Sequence, residues 1–146
     1  MTLEQGLVGK RAAELAIGDV AFMTKTISES DVYLFAGITG DLNPAHVNEE
    51  YAKNTPFKTR IAHGMLGAGL ISAVLGMKLP GPGTIYLGQE LSFRKPVLIG
   101  DTITAKAEVV NIIDKGKIVI CEIKTICYNQ HEEIVMEGMA KVIPPK

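Results

Sequence analysis

The sequence has no excess of charge of either sign. Fifteen basic residues nearly balance sixteen acidic ones, leaving a net charge of −1. Such a balance lacks the electrostatic footprint that nucleic acid or an anionic membrane surface would require, so neither is expected as a partner. Cysteine is nearly absent: Cys121 and Cys127 are the two present, both in one apolar run that reads as a strand. Six residues of strand separate them by about 20 Å, whereas a disulfide needs Cα atoms within about 7 Å. They are expected to be reduced, buried thiols, which suits the cytoplasm. The opening MTLEQGLVGKRAAELAIGD has neither a long apolar core nor a cleavage pattern, so no signal peptide is expected. The one long apolar stretch, residues 61–77, carries four glycines and runs into LPGPG. It falls short of a membrane span and reads as a buried helix.

Low-complexity linkers and internal repeats are also missing, so one domain over residues 1–146 is expected. A domain near this size buries roughly 70% of its unfolded surface. With 47% hydrophobic and 21% charged residues, a packed core is expected rather than disorder. Several chemistries lack their signatures. No Cys/His cluster has zinc spacing, and no G-x-S-x-G elbow is present. The glycines match neither a phosphate loop nor a dinucleotide fingerprint. Acid–base chemistry without a metal or cofactor is what remains.

What is present divides into a helical first half and a strand-rich second half. ELAIGDVAFMTKTIS alternates weakly and reads as a strand ending near Ile27. Ser28 and Asp31 give an S-x-x-D capping signal before VYLFAGITG, a short helix closed by glycine. EEYAKNT reads as another short helix. AHGMLGAGLISAVLGMKL is apolar on nearly every face, as expected of a helix surrounded by protein. Gly64, Gly67, Gly69 and Gly76 each weaken it by about 1 kcal/mol relative to alanine, a tolerable cost if a curved sheet must approach the helix backbone closely. In GTIYLGQELSFRKPV, alternation puts Ile85, Leu87, Leu91 and Phe93 on one face. In DTITAKAEVVNII, Ile103, Ala105, Ala107 and Val109 oppose Thr102, Thr104, Lys106 and Glu108. DKGK and NQHEE then join two further strands as tight turns. An α+β architecture follows, a long central helix gripped by a curved antiparallel sheet.

Two places in this layout can carry chemistry. In GDLNPAH, Pro44 fixes its own φ, biases Asn43 to an extended shape, and can set Asp41 and His46 on one side of a loop. A carboxylate–imidazole pair is suited to deprotonating water near neutral pH; taken alone, the same residues also suit a polar turn. The second place is IAHGML, where the first amides of the apolar helix lack internal partners and Gly64 would let a substrate carbonyl come close. His63 reads as a cap or a partner of nearby polar groups, outside the catalytic set. Ser72, the one polar residue inside the helix, bonds either back to its own helix or to substrate or the Asp–His pair. His131 lies in a polar turn and reads as solvated.

GDLNPAHVNEEYA, TRIAHGMLGAGLISAVLG and LPGPGTIYLGQELSFRKPVLIGDTITAKAEV, in that order, resemble the (R)-specific enoyl-CoA hydratases of the MaoC-like hot-dog group. The resemblance runs from about residue 20 to about residue 142. It implies the hot-dog fold and a homodimer, or an oligomer of such dimers, with the site near the interface. It implies reversible hydration of trans-2-enoyl-CoA, with acyl-CoA as substrate and no cofactor. It casts Asp41 and His46 as the catalytic pair, Asn43 as its support, Gly64 as the amide that holds the thioester carbonyl, and Ser72 as a hydroxyl near the catalytic loop. Met65, Leu66, Leu70 and Val74 are candidates for the acyl tunnel from their helix positions. An acyl-CoA thioesterase of the same fold and a non-catalytic acyl-CoA-binding module are the rival readings.

Overall fold

The computed structural model describes residues 7–146. The part of the signal-peptide expectation that falls on residues 1–6 lies outside the described residues. Ser28 sets the first boundary. Its hydroxyl accepts the Asp31 N–H at 3.1 Å, and the Asp31 carboxylate accepts the Ser28 N–H at 2.8 Å, the reciprocal box that the spacing predicts. Strand β1 (Val20–Thr26) ends before it and helix α1 (Glu29–Thr39) begins after it. Gly40 closes α1 at φ 78°, a left-handed conformation that costs glycine no Cβ clash.

Two one-turn helices follow, α2 (Pro44–Val47) and α3 (Glu49–Ala52). The second is the helix expected from EEYAKNT. The first has no counterpart in the sequence reading; Asn43 as cap and Pro44 at the first position suffice to start it. Helix α4 (Gly64–Met77) leads into β2 (Ile85–Phe93), β3 (Thr102–Asp114), β4 (Val119–Tyr128) and β5 (Ile134–Ile143). The sheet is antiparallel throughout, in the order β1-β3-β4-β5-β2, so β3–β4–β5 form the expected meander. α4 packs on β3, with contacts to β1 and β4 on either side. This is a sheet laid around a central helix, the hot-dog arrangement.

The alternation read in β3 is the inner face. Ile103, Ala105, Ala107 and Val109 are fully buried, as are Ile71 and Val74 of α4, with Leu75 nearly so. Burying a Val, Leu or Ile side chain contributes about 1.5–3 kcal/mol, and the alanines leave room for the helix. Among the described residues, no helix is long and apolar enough to cross a membrane.

Strand β2 departs from its expected face. Tyr86 pairs with Val142 and Gly88 with Lys141, so Leu87 is an extra residue in a bulge. One inserted residue reverses the parity of a strand. Leu91 and Phe93 oppose Gly138 and Met136 on the inner side, while Ile85 opposes Ile143 on the outer side. Ile85 and Leu87 are about half exposed. The helix glycines also divide. A Cβ on Gly64 would lie 2.6 Å from the Phe93 ring and one on Gly67 2.8 Å from Met136, whereas Gly69 and Gly76 face open space. Close approach of the sheet explains the first two glycines only.

Cys121 and Cys127 are free and fully buried on the inner face of β4, as expected. Burial pushes the Cys127 thiol up to about 12 and raises that of Cys121, so neither offers a thiolate at neutral pH.

Candidate active site

The loop after α1 is fixed by short-range hydrogen bonds. The Thr39 hydroxyl donates to the Phe35 carbonyl at 2.8 Å and accepts the Asp41 N–H at 3.2 Å. Asp41 Oδ1 accepts the Asn43 N–H at 3.2 Å, and Asn43 Oδ1 accepts the Ala45 N–H at 3.0 Å. Asp41 is therefore locked into a turn by one carboxylate oxygen, leaving the other uncommitted. Asn43 supports the loop by capping α2, which carries His46.

His46 is oriented from a second segment. Its Nδ1 lies 2.6 Å from the Ile61 carbonyl; a carbonyl only accepts, so Nδ1 carries the proton and the lone pair of the neutral ring sits on Nε2. Ile61 in turn donates its N–H to the Ala45 carbonyl at 3.2 Å. Arg60, next to it, ties this segment to two helices. Its guanidinium donates to Glu29 at 2.8 Å, to Glu49 at 3.0 Å and to the Tyr33 hydroxyl at 2.8 Å. These bonds hold both carboxyls below their ordinary range and raise the guanidinium. Depressed carboxylates contribute their stability above their unfolded-state values and lose it as pH falls through the folded ones. The clamp is therefore intact at neutral pH and loosens only in acid.

His63 joins the pair, which its sequence position does not announce. It caps α4 by backbone conformation but makes no side-chain cap. Its Nε2 lies 2.9 Å from the Asp41 carbonyl, and its ring stacks on His46 at 3.9 Å between centroids, with Phe35 at 4.7 Å. The ring is 3% exposed, and its Nδ1 is a buried side-chain nitrogen without a hydrogen-bond partner among the described residues. Such an orphan costs about 1–3 kcal/mol.

Asp41, His46, His63 and Gly64 line one cleft of about 410 Å³, with Phe35, Thr39 and Met65. A second cleft of about 490 Å³ shares His46, Gly64 and Met65 and continues over Phe57, Phe93 and Val97 to Arg94 and Lys95. Arg94 pairs with Glu137 and Lys95 with Glu133 at this end. Ser72 is not among these linings. It lies eight residues along α4, about 12 Å from Gly64, in a groove with Gly69, Tyr86 and Gln89. Of the tunnel candidates, Met65 lines all three clefts. Leu70 and Val74 are buried in the core, and Leu66 packs against it.

Asp41, His46 and His63 each offer a ligand atom within 4.8 Å of the others. The two imidazoles are in face contact, tilted by 31°.

A family model described as MaoC like domain matches residues 16–130. The chain is 56% identical over 128 residues to an (R)-specific enoyl-CoA hydratase of Rhodospirillum rubrum, covering 88% of this chain and 87% of that one. It is 48% identical over 133 residues to a 3-hydroxybutyryl-CoA dehydratase of Methylorubrum extorquens, covering 91% and 83%. An R-hydratase structure from Pseudomonas aeruginosa, in the unliganded form, superposes with a TM-score of 0.89 at 43% identity, over 94% of this chain and 87% of that one. With its hot-dog architecture, its Asp–His loop and these matches, the chain belongs to the MaoC-like domain family.

Proposed function

We propose that this protein is an (R)-specific enoyl-CoA hydratase, adding water to trans-2-enoyl-CoA to give (R)-3-hydroxyacyl-CoA and dehydrating it in reverse. The observation that carries this reading is the meeting of Asp41 and His46 with the Gly64-led end of α4 in one cleft. Asp41 and His46 hold the water. As its oxygen bonds to C3, the pair takes one proton from it and delivers one to C2, so the pair ends as it began. Asp41 is the acceptor on the water side, and His46, whose Nε2 carries the free lone pair, relays the proton. Negative charge develops on the thioester oxygen, and the Gly64 N–H at the helix terminus stabilises it. The CoA thioester is substrate; no metal or cofactor takes part.

Crotonyl-CoA is the substrate that tests the reading. Purified protein is expected to remove its conjugated enoyl-thioester absorbance, with (R)-3-hydroxybutyryl-CoA as product by chiral analysis. Release of free thiol without hydration would move the assignment to a thioesterase. Binding without turnover would leave an acyl-CoA-binding module.

A homodimer completes the site in this reading. Asp41 is exposed in the single chain, although acid–base chemistry on an enoyl thioester favours a dry site. The edge strand β2 exposes Ile85 and Leu87, and α4 exposes Met65, Gly69 and Ser72 beside it. A second copy on this face would cover these groups. Light scattering at micromolar concentration should return twice the chain mass of 15.7 kDa or a multiple of that; a persistent monomer with full activity would reject the dimer. A cytoplasmic location accords with the reduced thiols.

A further inference from the structure

His63 is the residue whose chemistry the reading above leaves unused. It touches both members of the pair: Nε2 lies on the Asp41 carbonyl at 2.9 Å and the ring face lies on His46. The carbonyl fixes the proton on Nε2, leaving Nδ1 with a buried lone pair and no partner. A phenylalanine would fill the same space, keep the contacts to His46 and Phe35, and leave no polar atom stranded. The chain instead carries a destabilising imidazole at the floor of the cleft. What the imidazole adds over a phenyl ring is the Nε2–H.

We infer that His63 is a positioning residue for the hydration reaction, holding the Asp41 turn through its Nε2–H while its face sets the plane of the His46 ring. The inference rests on the hydratase reading. His46 is thus held on two sides, by the Ile61 carbonyl at its Nδ1 edge and by His63 against its face. Asp41 is held through its own carbonyl, which leaves its carboxylate free for water. Releasing either constraint would move the acceptor and the relay relative to C3 and C2, with little change in the apolar walls that bind the acyl chain.

Two variants separate this role from packing. His63→Gln keeps a side-chain N–H that can reach the Asp41 carbonyl, and His63→Phe keeps the ring and loses the donor. The Gln variant is expected to keep kcat within about tenfold of the parent. The Phe variant should lose about 10²-fold in kcat, with KM changed less than about threefold, and should melt near the parent temperature, since removal of the stranded nitrogen offsets loss of the bond to the Asp41 carbonyl. A Phe variant with parental kcat, or equal losses in both variants, would overturn the inference. Ring-nitrogen NMR reads the same contacts without turnover. The chain has three histidines, so His63 should be identifiable as the Nε2–H form and His46 as the Nδ1–H form in the parent. His46 should keep that form in both variants, because the Ile61 carbonyl still holds its Nδ1–H. An Nδ1–H form at His63 would refute the inference whatever the enzyme assay shows, and absent hydration with the expected tautomers would refute only the hydratase reading. If the Phe variant does not fold, the parent spectrum and the Gln variant decide.

Discussion

Replacing Asp41 by asparagine, or His46 by alanine, is expected to lower kcat for crotonyl-CoA hydration by about 10²–10⁴-fold with the fold retained. Asparagine keeps the oxygen that accepts the Asn43 N–H at 3.2 Å, so the turn survives while the negative charge is lost. Asp41 is exposed in the chain and lies outside the apolar core; its loss should leave the circular dichroism spectrum and melting temperature near those of the parent. His46→Ala removes the bond to the Ile61 carbonyl as well as the Nε2 lone pair, and a small fall in stability is expected with it. KM should change far less than kcat in both, because the apolar wall of Phe57, Phe93 and Val97 is left intact. Parental turnover in either variant would remove that residue from the proposed pair.

The second large effect is on stability. Gly138 on β5 lies under β2, where a Cβ would fall 1.7 Å from the Glu90 carbonyl oxygen and 2.7 Å from its carbon. The obstacle is backbone, so a rotamer change cannot relieve it. The Gln89 side chain crosses the same spot to donate to Thr125 Oγ1 at 2.9 Å, satisfying a hydroxyl that is fully buried. Gly138→Ala must therefore push β2 away from β5, break this bond and displace Phe93 from Gly64. A loss of about 3 kcal/mol or more is expected, a fall in Tm of roughly 10 °C for a chain of this size. Gly37→Ala is the control. That position in α1 has open space around it, and helix propensity favours alanine there by about 1 kcal/mol. Equal melting temperatures for the Gly138 variant and the parent would contradict the packing described for β2.

The parts of the molecule that could be read in the sequence are those set by local pattern. The β3 alternation, the Ser28–Asp31 box, the turns at DKGK and NQHEE and the apolar α4 all depend on residues a few positions apart. β2 could not be read in this way, because a bulge at Leu87 leaves the hydrophobic pattern intact while reversing which face it serves. In the site, Asp41 and His46 were visible because Asn43 and Pro44 constrain the short chain between them. His63 was not, since its stacking on His46 depends on how α4 meets α2, and no local signal distinguishes it from a cap. Alternation places Phe93 on one face with Ile85, Leu87 and Leu91, but its contact with Gly64 needs the tertiary register. At Gly69 and Gly76 the sequence predicts close approach of the sheet, and the open space beside them depends on tertiary packing that no local pattern reports.

Arg60 has a consequence beyond the bonds it makes. Its contact with Glu29 spans 31 residues, and the segment so closed contains both Asp41 and His46. It acts as a non-covalent cross-link around the reactive loop, with Tyr33 and Glu49 removing the remaining slack. The conformational entropy of that loop is thus lost during folding rather than on binding, so ordering it draws little from the free energy of substrate association.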